Sequence, residues 1–306
     1  MQCPNCKNKL AIEPHAARCE PCATTYPEVS GIWCLLPRDM PAWKRDEAYY
    51  HTEFEHDPAE VHQLDRFRNR FAHALVHDAI GRLPKGSRVL EVGEGIGRDT
   101  AVLAEDGYQV METDISLGAL KQSRKTTSRV EVKYVAADGD VLPFGDGAFD
   151  AVFLIAALHH LPDPITCVRE MARVARPGGL VIAGVEPNRT WHALIRAARP
   201  LLCAATDTAL HGGSTADEAL TGFKKSDLLH AFASCGIAVE AVHPVWFATG
   251  FLHYGIEFAY RGLGLHRRIK TPDWLDKIFL AFDRAIFSVP GLDRLAWHWT
   301  VIGKKL

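Results

Sequence analysis

Val89-Leu90-Glu91-Val92-Gly93-Glu94-Gly95-Ile96-Gly97-Arg98 is the stretch on which the fold turns. Its first half is a short apolar strand. Its second half places glycine at every other position, and Arg98 to Asp106 then reads as a helix. Strands follow at Gln109 to Thr113, ending in Asp114, at Val130 to Ala136, and at Ala148 to Ala156, the last continuous and apolar. Pro164 to Ala175 reads as a helix, Pro177-Gly178-Gly179 as a turn and Leu180 to Val185 as a fifth strand. Lys224 to Ser234 then reads as a helix, Ile237 to His243 as a sixth strand and Trp299 to Gly303 as a seventh. Strands separated by helices imply a sheet that is mostly parallel and covered on both faces, because each parallel crossover returns over a face. The expected architecture is a doubly wound, seven-stranded α/β sheet. Ligands of such sheets bind at the carboxyl ends of the strands, near the point where strand order reverses.

The glycine turn alone is ambiguous, since NAD, FAD and nucleotides use similar loops. Here the spacing is Glu91-x-Gly93-x-Gly95-x-Gly97, not the GxGxxG of dinucleotide enzymes. No Walker lysine follows, which weakens a phosphate-binding reading. Glycines at these steps let the backbone approach a ligand that lacks phosphate, such as the methionine half of S-adenosylmethionine. Asp114, at the end of the second strand, offers the acceptor pair that two ribose hydroxyls need.

Five blocks carry a resemblance. They are residues 89–98, Thr113-Asp114-Ile115-Ser116, Ala137-Asp138-Gly139-Asp140-Val141-Leu142-Pro143-Phe144 with Phe149-Asp150, Leu158-His159-His160-Leu161-Pro162-Asp163-Pro164, and Glu170 through Gly179. In this order and spacing, residues 88–185 resemble the class I, Rossmann-like methyltransferases of the ubiquinone/menaquinone-biosynthesis type. The resemblance implies an S-adenosylmethionine-dependent methyltransferase. It implies a cofactor-binding set of Glu91, Gly93, Gly95, Asp114, Ile115, Asp138, Gly139 and Ala156. Glu91 would orient the loop and the amino end of the cofactor, Asp114 would bind the ribose, and Ile115 would lie against the adenine. Asp138 would accept from the adenine amino group, with Gly139 supplying a backbone donor. Ordinary solvated carboxylates are the competing reading of Glu91, Asp114 and Asp138, but all three fall on the rim where the cofactor lies. Glu94 departs from the family, which usually has a small residue or cysteine there.

Methyl transfer is an in-line displacement, so the enzyme mainly positions a nucleophile and excludes water. A hydroxyl acceptor is helped by a general base, and histidine suits neutral pH. His160 and His159 end the fourth strand. The family keeps a histidine at the place of His160, although a loop-holding role is equally expected. Upstream, Tyr49 and Tyr50 precede an apolar stripe of Val61, Leu64, Phe67, Phe71 and Leu75 that follows Asp57-Pro58, an N-cap and N1 pair. In many small-molecule methyltransferases the corresponding segment folds over the cofactor, which makes Tyr50 a candidate facing the substrate.

At the N-terminus, Cys3-x-x-Cys6 and Cys19-x-x-Cys22 form two tight pairs. Each CxxC makes a knuckle, and two knuckles complete a closed tetrahedral Cys₄ site of the structural Zn²⁺ kind. Two disulfides or free thiols are the alternatives. Tyr26-Pro27 and residues 31–37 resemble the tail of the short zinc ribbons that often precede methyltransferase domains. The expected organisation is a zinc ribbon over 1–37, a helical bridge and cofactor cover over 38–86, and the methyltransferase domain over 87–306. That domain carries insertions at 188–222 and 244–296. The first contains Trp191, His192 and His211-Gly212-Gly213-Ser214. In the second, Phe247, Phe251, Tyr254 and Phe258, then Trp274, Ile278, Phe282 and Ile286, recur at helical spacing. They predict two helices packed on each other or on a partner subunit, which leaves a homodimer open. The sharper alternative is an apolar pocket, or a surface meeting a lipid-linked substrate at a membrane.

The whole chain of 306 residues is 47% hydrophobic and 24% charged with a net charge of −2, which argues against a general nucleic-acid coat. No signal segment is visible, and Cys34, Cys167, Cys203 and Cys235 are isolated, a cytoplasmic pattern that allows peripheral membrane contact. The favoured acceptor is therefore a small or lipid-linked, partly apolar molecule. A zinc-finger rRNA or tRNA base methyltransferase is the alternative. It would use the basic Arg261, Arg267, Arg268 and Lys270, which could equally meet anionic lipid.

Overall fold

The computed structural model describes residues 1–53, 70–93, 95, 97–191, 193–194, 197, 222–262 and 271–306, and within these the side chains of all but 50–53, 257, 258 and 260–262. Glu94, the side chains of Tyr50 and Phe258, the stripe residues Val61, Leu64 and Phe67, most of insertion 188–222 and the basic cluster at 267–270 lie outside the described residues.

In chain order, β1 (Ala11–Glu13), β2 (Ala16–Cys19), β3 (Thr24–Val29) and β4 (Ile32–Cys34) precede α1 (Ala42–Glu53) and the helical residues 70–80, termed α2. Then come β5 (Arg88–Val92), α3 (Arg98–Glu105), β6 (Gln109–Asp114), α4 (Leu117–Thr126), β7 (Val132–Ala136), β8 (Phe149–Ile155), α5 (Pro164–Val174) and β9 (Ala175–Pro187). The chain closes with α6 (Lys225–Ser234), β10 (Ile237–Val245), α7 (Ala248–Gly262), α8 (Asp273–Phe287) and β11 (His298–Lys305).

The strand order is β1-β2-β3-β4-β7-β6-β5-β8-β9-β11-β10. The seven expected strands form the segment from β7 to β10. All their pairings are parallel except those of β11, which runs antiparallel to β9 and β10. The other four strands come from the cysteine-bearing segment and extend the same sheet. β4 pairs in parallel with β7 through Ile32↔Tyr134, Trp33↔Val135 and Cys34↔Ala136, so it covers an edge that would otherwise present unpaired backbone groups.

Local sequence explains the elements. β8 buries Phe149, Ala151, Val152, Phe153 and Leu154, as a strand sandwiched between helical layers must. Asp163 caps α5: its carboxylate accepts the Ile165 N–H at 3.2 Å and the Thr166 hydroxyl at 2.6 Å, with Pro164 as the first helical residue. α2 is tied to α3 by His73 and His77, whose ring nitrogens lie 2.9 Å and 2.7 Å from Asp99 oxygens. Burial works against ionisation of Asp99, yet the two imidazoles hold its carboxyl well below the usual carboxylate range.

The structure refines the sequence reading in three places. Pro177-Gly178-Gly179 is no turn between elements but a bulge within β9. Phe149 pairs with Ala175 and Ala151 with Leu180, so β9 advances further than β8 between the two pairings. Gly178, at φ 70°, takes up the bend. α4 is a crossover helix that the sequence reading leaves unnamed, because Lys121, Gln122, Arg124 and Lys125 dilute a buried face of only Ala119, Leu120 and Ser123. Finally, the two aromatic helices of the second insertion exist, but Trp274, Ile278 and Phe282 face outward. The face of α8 turned to the protein instead carries Asp276 and Asp283. No helix among the described residues is long and apolar enough to cross a membrane.

β5 and β6 place Glu91 and Glu112 side by side in register. Burial pushes the Glu112 carboxyl up to about 8, against the Ser123 hydroxyl it accepts at 2.6 Å. The folded state therefore holds a proton that the unfolded chain releases, so this contribution to stability is full below about pH 4.5 and is lost as pH rises through about 8. Glu112→Gln should flatten the dependence: relative to wild type, its thermal midpoint should rise by several degrees between pH 6 and pH 9. Parallel curves for the two proteins would exclude Glu112 as the group responsible.

Candidate active site

The carboxyl ends of β5, β6, β7 and β8 surround a cavity of about 280 Å³. Gly93 and Gly95 form one wall. Gly93 has φ 71°, and a β-carbon there would come within 2.9 Å of the Ala157 methyl. Gly97, at φ 79°, begins α3, and a β-carbon there would collide with the Ser123 hydroxyl. Only glycine meets both demands, and at Gly93 and Gly95 the backbone itself lines the cavity.

Asp114 lines the cavity, its Oδ1 accepting the Ser116 N–H at 2.7 Å and its Oδ2 the Gly95 N–H at 3.2 Å. These bonds fix the carboxylate beside the glycine loop. Ile115, Gly139 and Ala156 also line the cavity. Ala156 sits at φ 51°, a left-handed conformation that a non-glycine residue holds only when its surroundings impose it. The restraint is visible in its N–H donating to Gly184 O at 2.8 Å, and in the buried Glu186 carboxylate beyond it. Glu186 accepts the backbone N–H groups of Ala157, Leu158 and His159 at 3.0, 2.9 and 3.1 Å.

The structure separates the two histidines. His159 turns its Nδ1 to Glu186 Oε2 at 3.0 Å and is absent from the cavity lining, so it belongs to the clamp that holds the turn. His160 does line the cavity, and its Nδ1 lies 3.1 Å from Oε1 of Glu47 on α1, a side chain only 8% exposed. Glu91 also differs from expectation. It is 1% exposed, accepts the Thr100 hydroxyl at 2.6 Å behind the loop, and does not reach the cavity. Burial raises its carboxyl well above the usual range. Through Thr100 it supports the loop from behind.

α1 does cover the cavity, and Tyr50, whose side chain lies outside the described residues, is seven positions on from Trp43. Trp43, Lys44 and Glu47 line the cavity, while Tyr49 is 62% exposed. Helical geometry explains the difference: Trp43 and Glu47 are four residues apart on one face, and Tyr49 lies well round from both. Lys44 is the residue that sequence reasoning missed most completely. Its Nζ lies 2.6 and 2.5 Å from the Asp138 oxygens and 2.7 Å from Asp140 Oδ2. Burial pulls the ammonium down, but the two carboxylates outweigh it and hold its pKa above the ordinary lysine value. Lys44 thus engages the acceptor that the resemblance gives to the adenine amino group. Arg98, Leu161 and Cys167 also line the cavity, without having been given a role there by the sequence. Cys167 was legible only as a cysteine on the buried face of α5.

The second cluster is the expected cysteine set. The ligand atoms of Cys3, Cys6, Cys19 and Cys22 all lie within 4.8 Å of one another, with Cys3 and Cys22 sulfurs 4.0 Å apart and those of Cys6 and Cys19 3.5 Å apart. These separations far exceed a disulfide bond and suit four thiolates around one tetrahedral ion. Asn8 Nδ2 donates to Cys6 at 3.3 Å and, with its backbone N–H, lowers that thiol to about 6, while neighbouring Cys6 helps push Cys22 up to about 12. The cluster is anchored to the large sheet: Gln2 N–H donates to Pro143 O at 2.9 Å, and Lys7 pairs with Glu170 of α5 at 2.8 Å.

Comparison with known proteins agrees with this geometry. Residues 90–183 match the family model described as a methyltransferase domain. The demethylmenaquinone methyltransferase of Renibacterium salmoninarum is 41% identical over 110 residues, 36% of this chain and 45% of that protein. The 2-methyl-6-phytyl-1,4-hydroquinone methyltransferase of Synechocystis sp. is 34% identical over 129 residues, 41% of each chain. The chain thus spans less than half the length of these curated relatives. The solved structure of phosphoethanolamine N-methyltransferase 2 of Haemonchus contortus, in complex with S-adenosyl-L-methionine, shares the fold with a TM-score of 0.56 at 15% identity, covering 88% of this chain and 61% of that one. The seven-stranded portion has the class I methyltransferase fold.

The Glu186 clamp can be tested directly. Glu186→Ala strands three backbone donors and the His159 ring in a buried turn, and should cost roughly 2–4 kcal/mol in urea unfolding. A loss below about 0.5 kcal/mol, the range of ordinary surface substitutions, would show that the turn does not depend on it.

Proposed function

We propose that the protein is an S-adenosylmethionine-dependent methyltransferase acting on a quinone-type acceptor, a hydroquinone ring carrying an apolar tail. The observation that carries this reading is the convergence of Gly93, Gly95, Asp114, Asp138 and His160 on one cavity at the strand ends. The residues fit the cofactor: backbone presented at Gly93 and Gly95, an acceptor pair at Asp114 for the ribose, and a second carboxylate at Asp138 one strand further on. The quinone class draws on the names of the relatives. It also draws on the apolar wall at Ile155, which lines the cavity and packs on a cluster including Trp191, Trp246, Tyr254 and Trp297. None of these relatives acts on RNA by its name, and the near-neutral charge leaves the base-methyltransferase alternative without support.

S-adenosylmethionine, when bound, supplies an electrophilic methyl group activated by a sulfonium. The chain's own part is to bind, orient and move a proton. Asp114 fixes the ribose end, while the glycine loop and Ala156 bring backbone to the methionine end. His160 is the general base: its Nδ1–H donates to Glu47, which leaves Nε2 to accept the proton of a ring hydroxyl or ring carbon. α1 covers the cavity through Trp43 and Lys44, and excludes water from the reaction. The cysteine cluster holds one structural Zn²⁺, with Tyr26 and Asn8 donating toward its sulfurs.

Two measurements test the proposal. Labelled methyl from S-adenosylmethionine should appear in a short-tailed demethylmenaquinol supplied with detergent. His160→Ala should lower kcat roughly 100-fold or more with little change in cofactor affinity. Incorporation into RNA but not into the hydroquinone would overturn the acceptor class. For the metal, the purified chain should carry one zinc, and Cys19→Ser with Cys22→Ser should abolish it and lower the thermal midpoint of the whole protein. A full metal equivalent in that double variant would refute the site.

A further inference from the structure

α8 is turned inside out relative to an ordinary surface helix. Its protein-facing positions include two carboxylates that serve as anchors. Asp276, fully buried, accepts the Thr271 hydroxyl at 2.7 Å and the Arg70 guanidinium, and its Oδ1 lies 3.1 Å from His253 Nε2. Asp283, 3% exposed, caps α7 by accepting the N–H groups of Phe247, Ala248 and Thr249 at 3.0, 2.7 and 3.3 Å. These two residues, seven apart, lock one orientation of the helix. The opposite face therefore has no freedom to turn inward, and it presents Trp274, Ile278 and Phe282 at 63%, 57% and 52% exposure.

At 3.6 residues per turn these three side chains fall within about 40° of a line through Ile278. Ala285 lies on the same arc and Ala281 just beyond its edge, both exposed. Lys277 and Arg284, both exposed, flank it on one side. Of the acids on α8, Asp276 and Asp283 are turned inward, and Asp273 is paired with Arg70 at 3.1 Å. The outward surface of the helix is thus apolar along its centre and cationic along one margin. An apolar face of this kind with a basic margin is complementary to an anionic lipid surface, into which it lies parallel to the plane.

We infer that α8 is a peripheral docking helix that seats the protein on an anionic bilayer, with Trp274, Ile278 and Phe282 inserted at the headgroup boundary and Lys277 and Arg284 on the lipid charges. The choice of a bilayer over a second copy of the chain rests partly on the tailed acceptor proposed above, because such a molecule is held in a membrane. The cationic margin adds its own argument, since two copies packed antiparallel along this ridge would bring like charges onto one side.

Flotation of the full chain with vesicles of phosphatidylcholine, alone or mixed with phosphatidylglycerol, tests the inference without any substrate, so its failure leaves the acceptor to be judged by its own assay. Wild type should float with the mixed vesicles, less so with the neutral ones, and less so at high salt. The triple variant Trp274→Ala, Ile278→Ala, Phe282→Ala should lose at least about tenfold in partition coefficient while keeping its thermal midpoint, because it removes only exposed groups. Lys277→Glu with Arg284→Glu should abolish the preference for the anionic vesicles. Wild type that stays off both vesicle types, or a triple variant that binds as wild type does, would overturn the assignment. So would a dimer in light scattering that the triple variant dissolves, since the ridge would then belong to a second copy.

Discussion

The site exists because a parallel sheet reverses its winding between β5 and β8. On one side of β5 the chain proceeds outward through β6 and β7, and on the other through β8 and β9. The crossovers leave the strand ends in opposite directions, and the gap between them is what the cavity fills. Gly93 ends β5, Asp114 ends β6, Asp138 follows β7, and Ala156 and His160 follow β8. No one of these residues is unusual in itself. Their convergence is imposed by the backbone hydrogen bonds of four strands, which fix the spacing of the strand ends. The strain at Ala156 and the buried Glu186 clamp are the local cost of turning the chain sharply at that edge of the gap.

The same sheet explains how a small cysteine-bound segment takes part in the larger structure. Its β4 adds to β7, and Leu35 N–H continues the ladder to Ala136 O at 2.8 Å. Ala136 is followed by Ala137, Asp138 and Gly139, all in the cavity wall. A segment too short to bury a core of its own therefore buttresses one side of the cofactor cavity. α1 then leaves this segment and carries Lys44 back across the cavity to Asp138 and Asp140. The N-terminal residues contribute both a wall support and a cover, and they do so from opposite ends of the same short stretch of chain.

Much of this was legible in the sequence because backbone requirements leave marks on residue type. Alternate glycines announced the loop, Asp114 and Asp138 announced strand ends, and paired CxxC announced a metal cluster. His160 was separable from His159 only in three dimensions, since the distinction lies in which neighbour each ring finds: Glu47, 113 residues upstream, or Glu186, 27 residues downstream. Lys44 and Glu47 were hidden for the same reason. On a helix with so few apolar residues nothing local tells which face meets the sheet, and Tyr49 drew attention to a side chain that is exposed. The orientation of α8 was hidden more deeply. Hydrophobic periodicity marked the apolar stripe but left open what it meets, and it is the partners of Asp276 and Asp283, on α2 and α7, that fix which way the helix turns.

The central claim is that the strand-end cavity is the S-adenosylmethionine site, with Asp114 as the ribose acceptor. Calorimetric titration of the full chain with S-adenosylmethionine, wild type beside Asp114→Ala, measures it most directly. The account predicts a single site per chain, and a loss on the order of 1.5–3 kcal/mol in the variant as charge-assisted hydrogen bonds to the ribose disappear. No binding by the wild type, or equal affinity in the two proteins, would contradict it.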